Sequence, residues 1–281
     1  MKKMKQDITV ITLCILLSGC KTTFTVRDEY LVHEHVLSRR VELAEKGDVA
    51  QQFEVGLALW SSGNFPMASH WLTMAATSGN VMAQQALGVM YERGQFFATD
   101  YVRARELYEQ SAASDYPRAV RSLAVLYRDG IGVEKNPEKS AKLFRKAADL
   151  GLPEAWHDLA YAYLTGSGVK QDEMKAVELL RNAAEFGDPW AMESLGELYL
   201  RGHLVAQDYT AARAWLQKAA DRACPKGQFL LSEVLIKGLG CPKALEAGVH
   251  WLRLSAAQGF EPAKDMLNKM QIGQQAVPPN P

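Results

Sequence analysis

The chain has no excess of charge of either sign. Its 281 residues carry 32 Lys and Arg against 32 Asp and Glu. Nucleic acid is bound largely by neutralising phosphates, so this balance argues against a nucleic-acid partner. Long hydrophobic runs are missing as well. The apolar stretch Ile8–Leu17, ITVITLCILL, would reach about 15 Å as a helix. That is half of a hydrocarbon core of about 30 Å, too short for a permanent span. Cysteine is scarce, limited to Cys14, Cys20, Cys224 and Cys241. The last two flank one expected helix of about a dozen residues, hence lie roughly 20 Å apart. A disulfide needs Cα atoms within about 7 Å, so two free thiols are expected.

Catalytic and metal-binding groupings are lacking too. His33-Glu34-His35 is the one metal-like cluster. Positions i and i+2 of a helix point about 200° apart, so its two histidines cannot chelate one ion. His70, His157, His203 and His250 have no matched carboxylates, and His157-Asp158 is a neighbour pair, not a dyad. Ser167 follows a glycine but no strand precedes it, as a nucleophile elbow requires. The expectation is a non-enzyme with no metal and no cofactor.

What is present begins at the N-terminus. Lys2, Lys3 and Lys5 precede the apolar run, and Leu17-Ser18-Gly19-Cys20 follows it. This is the charged, apolar, small-residue order of a secretory signal. The LSGC motif resembles the lipobox of bacterial lipoproteins. The resemblance implies that residues 1–19 are removed and that the Cys20 sulfur carries lipid, with 20–27 as a lipidated linker. Several acyl chains, at about 0.8 kcal/mol per buried CH₂, would tether the protein to a membrane durably. In such lipoproteins of Gram-negative bacteria an aspartate after the cysteine favours the inner membrane. Lys21 stands there instead, which implies the outer membrane and a periplasm-facing protein.

The dominant signal is a period of thirty-six. Ala83, Ala119, Ala155, Ala191 and Gly227 are spaced by it. So are Leu87, Leu123, Leu159, Leu195 and Leu231, then Tyr91, Tyr127, Tyr163, Tyr199 and Leu235. Gly94, Gly130, Gly166, Gly202 and Gly238 follow in the same register, as do Leu107, Leu143, Leu179, Trp215 and Trp251. Each period reads as two antiparallel helices. In PEAWHDLAYAYLTG, Ala155, Leu159, Ala162 and Tyr163 form one stripe. In DEMKAVELLRNAAEFG, Ala176, Leu179, Leu180 and Ala183 form the other, with Asp172 as N-cap and Gly187 as terminator. Between them lies Gly166-Ser167-Gly168-Val169. It has the look of a phosphate loop, but a phosphate loop follows a strand. Its counterparts GIGV at Gly130 and GLGC at Gly238 mark it as a turn. Cys241 takes the place of Val133 and Val169 and is expected to be buried.

The pattern A-x₃-L-[GA]-x₂-Y-x₂-G-x-G-V, then K-A-x₂-L/W and A-A-x₂-G, resembles the SEL-one-like repeat (SLR) family. The match is closest in AVRSLAVLYRDGIGVEKNPEKSAKLFRKAADLG and AWHDLAYAYLTGSGVKQDEMKAVELLRNAAEFG. The tetratricopeptide repeat shares the helical core but runs thirty-four residues and lacks the G-x-G-V turn. The resemblance implies an all-α fold, a right-handed α-solenoid of antiparallel helix pairs that is tetratricopeptide-like. Six pairs are expected over 48–259, the first with a shortened turn, between capping helices at 28–47 and 260–272. Residues 273–281 read as a disordered tail.

Core positions repeat, so binding residues are sought where repeats differ. On each first helix these lie two, six and nine residues after the repeat alanine, on one face. The candidates are Arg121 and Arg128; His157, Tyr161 and Leu164; Glu193, Glu197 and Leu200; and Phe229, Glu233 and Ile236. In SLR and tetratricopeptide proteins the first helices line a concave surface. The resemblance thus implies partner proteins, presenting a helix or an extended peptide, and an adaptor role in an envelope, secretion or exopolysaccharide assembly. Two other readings remain open. One is a cell-wall or polysaccharide-binding module that stacks sugars on Trp60, Trp71, Trp156, Trp190 and Tyr161. The other is a hydrolase whose site no motif marks.

Overall fold

The computed structural model describes residues 38–275. The signal segment, Cys20, the His33-Glu34-His35 cluster, the start of the capping helix and residues 276–281 of the expected tail lie outside the described residues. Every regular element among the described residues is an α-helix. Helix α1 covers residues 38–45. It is followed by α2 (Val49–Ser61), α3 (Phe65–Thr77), α4 (Val81–Arg93), α5 (Tyr101–Ala112), α6 (Pro117–Asp129) and α7 (Pro137–Asp149). Then come α8 (Pro153–Thr165), α9 (Glu173–Glu185), α10 (Pro189–Arg201), α11 (Tyr209–Asp221), α12 (Pro225–Lys237), α13 (Leu245–Ala257) and α14 (Glu261–Gln275). The fold is an all-α solenoid of consecutive hairpins.

The chain divides into two compact units between Asn80 and Val81. In the first, α2 and α3 form a hairpin closed by the short turn at residues 62–64. Its core gathers Ala44, Val55 and Trp71. In the second, α4–α5, α6–α7, α8–α9, α10–α11 and α12–α13 are hairpins, and each second helix packs on the first helix of the next. Helix α14 packs on α13 and runs to Gln275, three residues beyond the expected boundary.

Local sequence explains where each helix starts. Pro117, Pro153, Pro189 and Pro225 sit at the first positions of α6, α8, α10 and α12. Their missing N–H has no helical partner to lose there. The second helices begin at side-chain caps, except α13, which starts after Ala244 without one. Asp100, Asn136, Asp172 and Asp208 each accept a backbone N–H three residues on, at 2.9 Å.

Each hairpin closes by seating a bulky side chain over a small residue. Gly88 lies under Tyr108, and a Cβ there would come 2.5 Å from the ring. Gly196 lies under Leu216 in the same way, at 2.6 Å. Tyr108, Phe144 and Leu216 are fully buried, each contributing about 2–3 kcal/mol by area. The buried Tyr108 hydroxyl donates to Glu92 at 2.6 Å, and burial pushes its pKa up. Where the small pair of the second helix has Ser in place of Ala, the hydroxyl finds a carbonyl. Ser111 donates to Val81 O at 2.7 Å and Ser255 to Pro225 O at 2.6 Å, which removes the cost of burying it.

The glycine-rich turns are joints between hairpins. The first glycine ends the helix in the left-handed region, as at Gly166 with φ 69°. The second lies on the preceding hairpin. A Cβ at Gly168 would fall 2.0 Å from Pro137 O, and one at Gly240 would fall 2.7 Å from Tyr209 Cβ. No side chain fits either place. The turn at residues 202–206 has Leu204 instead, with φ 62°.

Candidate functional site

The variable positions on α6, α8, α10 and α12 fall in a crowded layer. Helix α8 contacts α10, and α10 contacts α12, in addition to their own second helices. Of the sequence candidates, Tyr161 alone is exposed, at 58%. Arg121, Arg128, His157, Leu164, Glu197, Leu200, Phe229, Glu233 and Ile236 are half-buried, and Glu193 is buried at 6%. The expectation that these positions face freely outward is corrected accordingly: much of each side chain is used in stacking. Leu164 packs against the core around Leu159 and Leu180. Leu200 and Phe229 pack against the core around Leu231. Ile236 fills the space above Gly248.

The charged candidates form two seams. In the first, Arg121 Nε reaches Asp158 Oδ2 at 2.5 Å and Arg128 Nη1 lies 3.9 Å from Asp158 Oδ1. Arg128 also grips Asp129 with two hydrogen bonds of 2.8 Å. The positive charges of Arg121 and Arg128 are therefore largely neutralised. In the second, the signs are exchanged between helices. Lys226 Nζ on α12 meets Glu193 Oε1 at 2.9 Å and Glu197 Oε2 at 2.7 Å on α10. Burial alone would pull the Lys226 pKa down, but hydrogen bonds to Glu197 and Glu193 outweigh it and hold it above its ordinary value. Cys224 Sγ donates to the free oxygen of Glu193 at 3.1 Å. Burial, with that hydrogen bond, pushes the thiol up to about 12, so it stays protonated.

Both Cys224 and Cys241 are free. Cys241, expected to be buried, is half-buried, and Cys224 is buried. Cys224 caps α12 and faces the seam, whereas Cys241, in the turn before α13, packs partly buried against the core around Leu231.

His157 has an acidic neighbour that sequence spacing does not reveal. Asp188 caps α10, its Oδ1 accepting the Ala191 N–H at 2.6 Å. Its other oxygen, Oδ2, is buried without a hydrogen-bond partner. Burial pushes this carboxyl above its usual range, opposed by the Ala191 hydrogen bond and by His157, and assisted by Glu154 and Asp158. Among the described residues no group of three or more His, Cys, Asp or Glu is arranged to hold a metal ion.

The tryptophans named as sugar platforms divide. Trp71 is buried, Trp60 and Trp156 are half-buried, and Trp190 is 51% exposed. Beside Trp190 the sequence reading missed Phe186, which is 68% exposed and stands edge-on to Trp156 with ring centroids 4.9 Å apart. The signal was available. At thirty-six-residue spacing Phe186 corresponds to Arg222, and Trp190 to Lys226.

The model for the Sel1 repeat matches residues 54–80, 81–116, 117–152, 153–188, 191–224 and 225–260. The chain belongs to the Sel1 repeat family. Solved structures of Sel1 repeat proteins share its fold. The uropathogenic Escherichia coli protective antigen c5321, which displays an SLR fold, is 30% identical with a TM-score of 0.67. That match covers 87% of this chain and 53% of the antigen, so the chain spans about half the antigen's length. A Sel1 repeat protein from Oxalobacter formigenes is 26% identical with a TM-score of 0.67, over 82% of this chain and 92% of that one. Immunity protein Pa5087 from Pseudomonas aeruginosa, 20% identical with a TM-score of 0.55, shares the fold over 74% of this chain and 81% of its own. No curated protein sequence matches the chain. A Sel1 repeat scaffold fits a protein-interaction adaptor role.

Proposed function

We propose that this Sel1 repeat protein is a lipid-anchored adaptor of the outer membrane of a Gram-negative bacterium. It faces the periplasm, and its repeat array binds partner proteins during assembly of an envelope, secretion or exopolysaccharide complex. The observation that carries the binding reading is Tyr161. It is a large aromatic left exposed in a layer whose other variable side chains are half-buried or buried, and such residues anchor protein interfaces. The anchor reading rests on the order of Lys2 to Lys5, Ile8 to Leu17 and Leu17-Ser18-Gly19-Cys20, with Lys21 next. The array is a non-catalytic scaffold on this view.

Two experiments test the proposal. A photo-crosslinking amino acid at position 161 of the full chain, irradiated in cells, is expected to give a discrete protein adduct identified by mass spectrometry. Adducts to glycan alone would overturn the adaptor reading, as would an absence of adducts. Cys20→Ala is expected to abolish palmitate labelling and move the protein from the membrane to the soluble fraction. Unchanged fractionation and labelling would overturn the anchor.

A further inference from the structure

Two consecutive turns in the second unit differ from their counterparts. The chain enters α8 through Asp149-Leu150-Gly151 and enters α10 through Glu185-Phe186-Gly187. Leu150 is 38% exposed and Phe186 is the more exposed of the two. The same position is Ser114, Arg222 and Gln258 elsewhere. Stacking therefore does not require an apolar side chain there, and Phe186, though it stands edge-on to Trp156, leaves most of its own surface exposed. Trp190 makes the same point. Of its counterparts, Arg118, Glu154 and Lys226 are charged and join ion pairs between hairpins, whereas Met82 is apolar. Exposed apolar side chains gathered on neighbouring turns, where the repeat tolerates polar ones, mark a contact surface.

Two exposed carboxylates stand beside these side chains, and the nearby Lys146 is paired with Asp115. Asp149 and Glu185 are exposed, and each is the last residue of its helix, α7 and α9. Neither has an ion-pair or hydrogen-bond partner among the described contacts. A carboxylate at a helix C-terminus adds to the negative end of the helix dipole and is locally unfavourable. Between Phe186 and Trp190 in the chain comes Asp188, 2% exposed, with its unpaired Oδ2. The apolar side chains thus stand in a field that attracts cations.

We infer that Leu150, Phe186 and Trp190, with Asp149 and Glu185 beside them, form a docking surface for a cationic amphipathic polypeptide segment. Apolar side chains of that segment cover the aromatic rings, and its Lys or Arg side chains meet the two carboxylates. A lipid bilayer is disfavoured because bacterial lipid surfaces are anionic, and a neutral glycan gains nothing from the carboxylates. This inference rests on the adaptor reading only in taking a polypeptide as the ligand; the surface is distinct from Tyr161.

The test uses the full chain and a fluorescently labelled helical peptide of Leu and Lys, with a charge-reversed twin of Leu and Glu. Phe186→Arg with Trp190→Lys introduces residues that the same positions carry in the next repeat, so folding is expected to survive; helical circular dichroism checks it. The Lys peptide is expected to bind at least tenfold more tightly than the Glu twin. The double variant, and separately Asp149→Lys with Glu185→Lys, are expected to weaken that binding at least tenfold. Equal binding of the two peptides would overturn the inference, as would unchanged binding by a folded double variant. So would aromatic-dependent binding to anionic vesicles or cell-wall oligosaccharide in place of the peptide. Crosslinks from position 161 that persist in the double variant would leave the adaptor reading standing while this surface fails.

Discussion

The boundary between hairpins α8–α9 and α10–α11 is built differently from the boundaries on either side of it. The boundary before it has a glycine joint, Gly168 on Pro137, and a closed charge seam, Arg121 and Arg128 on Asp158. The boundary after it has Gly240 on Tyr209, and Lys226 on Glu193 and Glu197. The middle boundary has Leu204 where the joint glycine belongs. In place of a closed seam it has Asp188 buried with one oxygen unpaired. It also presents the exposed Phe186 and Trp190. Stacking alone would favour the flanking solution at every boundary. Where a repeat departs from its own best packing, its side chains are available for another task.

The largest effect is expected at a joint. Gly168→Val places side-chain atoms where Pro137 O already lies and forces a β-branched residue to a φ of 73°. Overpacking and strain together should cost about 3 kcal/mol or more. The loss should open the Arg121–Asp158 seam and spare the Lys226 seam. Urea denaturation combined with hydrogen exchange on α6 to α13 would resolve the two. Uniform loss of protection across both seams would erase the distinction between the boundaries.

The seams come next, and they should be unequal. Lys226→Met leaves Glu193 buried without its cation, which should cost about 2 kcal/mol. The figure is below that for a deep ion pair because Lys226 is itself partly exposed. Asp158→Ala instead strands Arg121, which is more than one-third exposed and can turn to water, while Arg128 keeps Asp129. Its cost should be about 1 kcal/mol, below the other. Cys224 provides a local readout, since its buried thiol is protonated and bonded to Glu193. Alkylation of Cys224 should accelerate in Lys226→Met and stay slow in Asp158→Ala.

Much of this architecture is legible in the chain because the same solution recurs. One helix pair is ambiguous, but five registers of Ala, Leu, Tyr and Gly at one spacing are not, and they place the helices and turns closely. The caps at Asp172 and Asp208 are legible for the same reason. The binding surface is less so. Variation at Arg121 and Glu193 reads as freedom to bind, but they vary because neighbouring repeats exchange compatible charges. Their partners, Asp158 and Lys226, lie thirty-seven and thirty-three residues on, a pairing that emerges only once the hairpins are stacked. Phe186 is not marked by the faces of the first helices because it lies in the turn between hairpins, just before Trp190 in the first turn of α10. The burial of Cys224 has the same origin, because it depends on the contact with Glu193 of the preceding hairpin.

The smallest effect concerns Asp188 and decides whether the middle boundary is strained by charge. Its carboxyl pKa lies above the usual carboxylate range, chiefly through burial. A carboxyl whose folded pKa exceeds its unfolded value holds its proton more tightly when folded. Its ionised form then weighs against the fold at neutral pH, and that penalty fades as pH falls through the folded pKa toward the unfolded one. Asp188→Asn keeps an oxygen for the Ala191 N–H and removes the charge. It should leave stability at pH 7 unchanged or raised by up to about 1 kcal/mol, with the advantage shrinking as the pH approaches 4. Asp188→Ala, which removes the cap as well, should lose about 1 kcal/mol relative to the Asn variant at either pH. Thermal melts of the three proteins at pH 7 and pH 4.5 make the comparison. An Asn variant whose advantage grows on acidification would show that the ionised carboxylate is welcome in the fold. The middle boundary would then be as well satisfied as its neighbours, and its exposed aromatics could no longer be ascribed to a local departure from good packing.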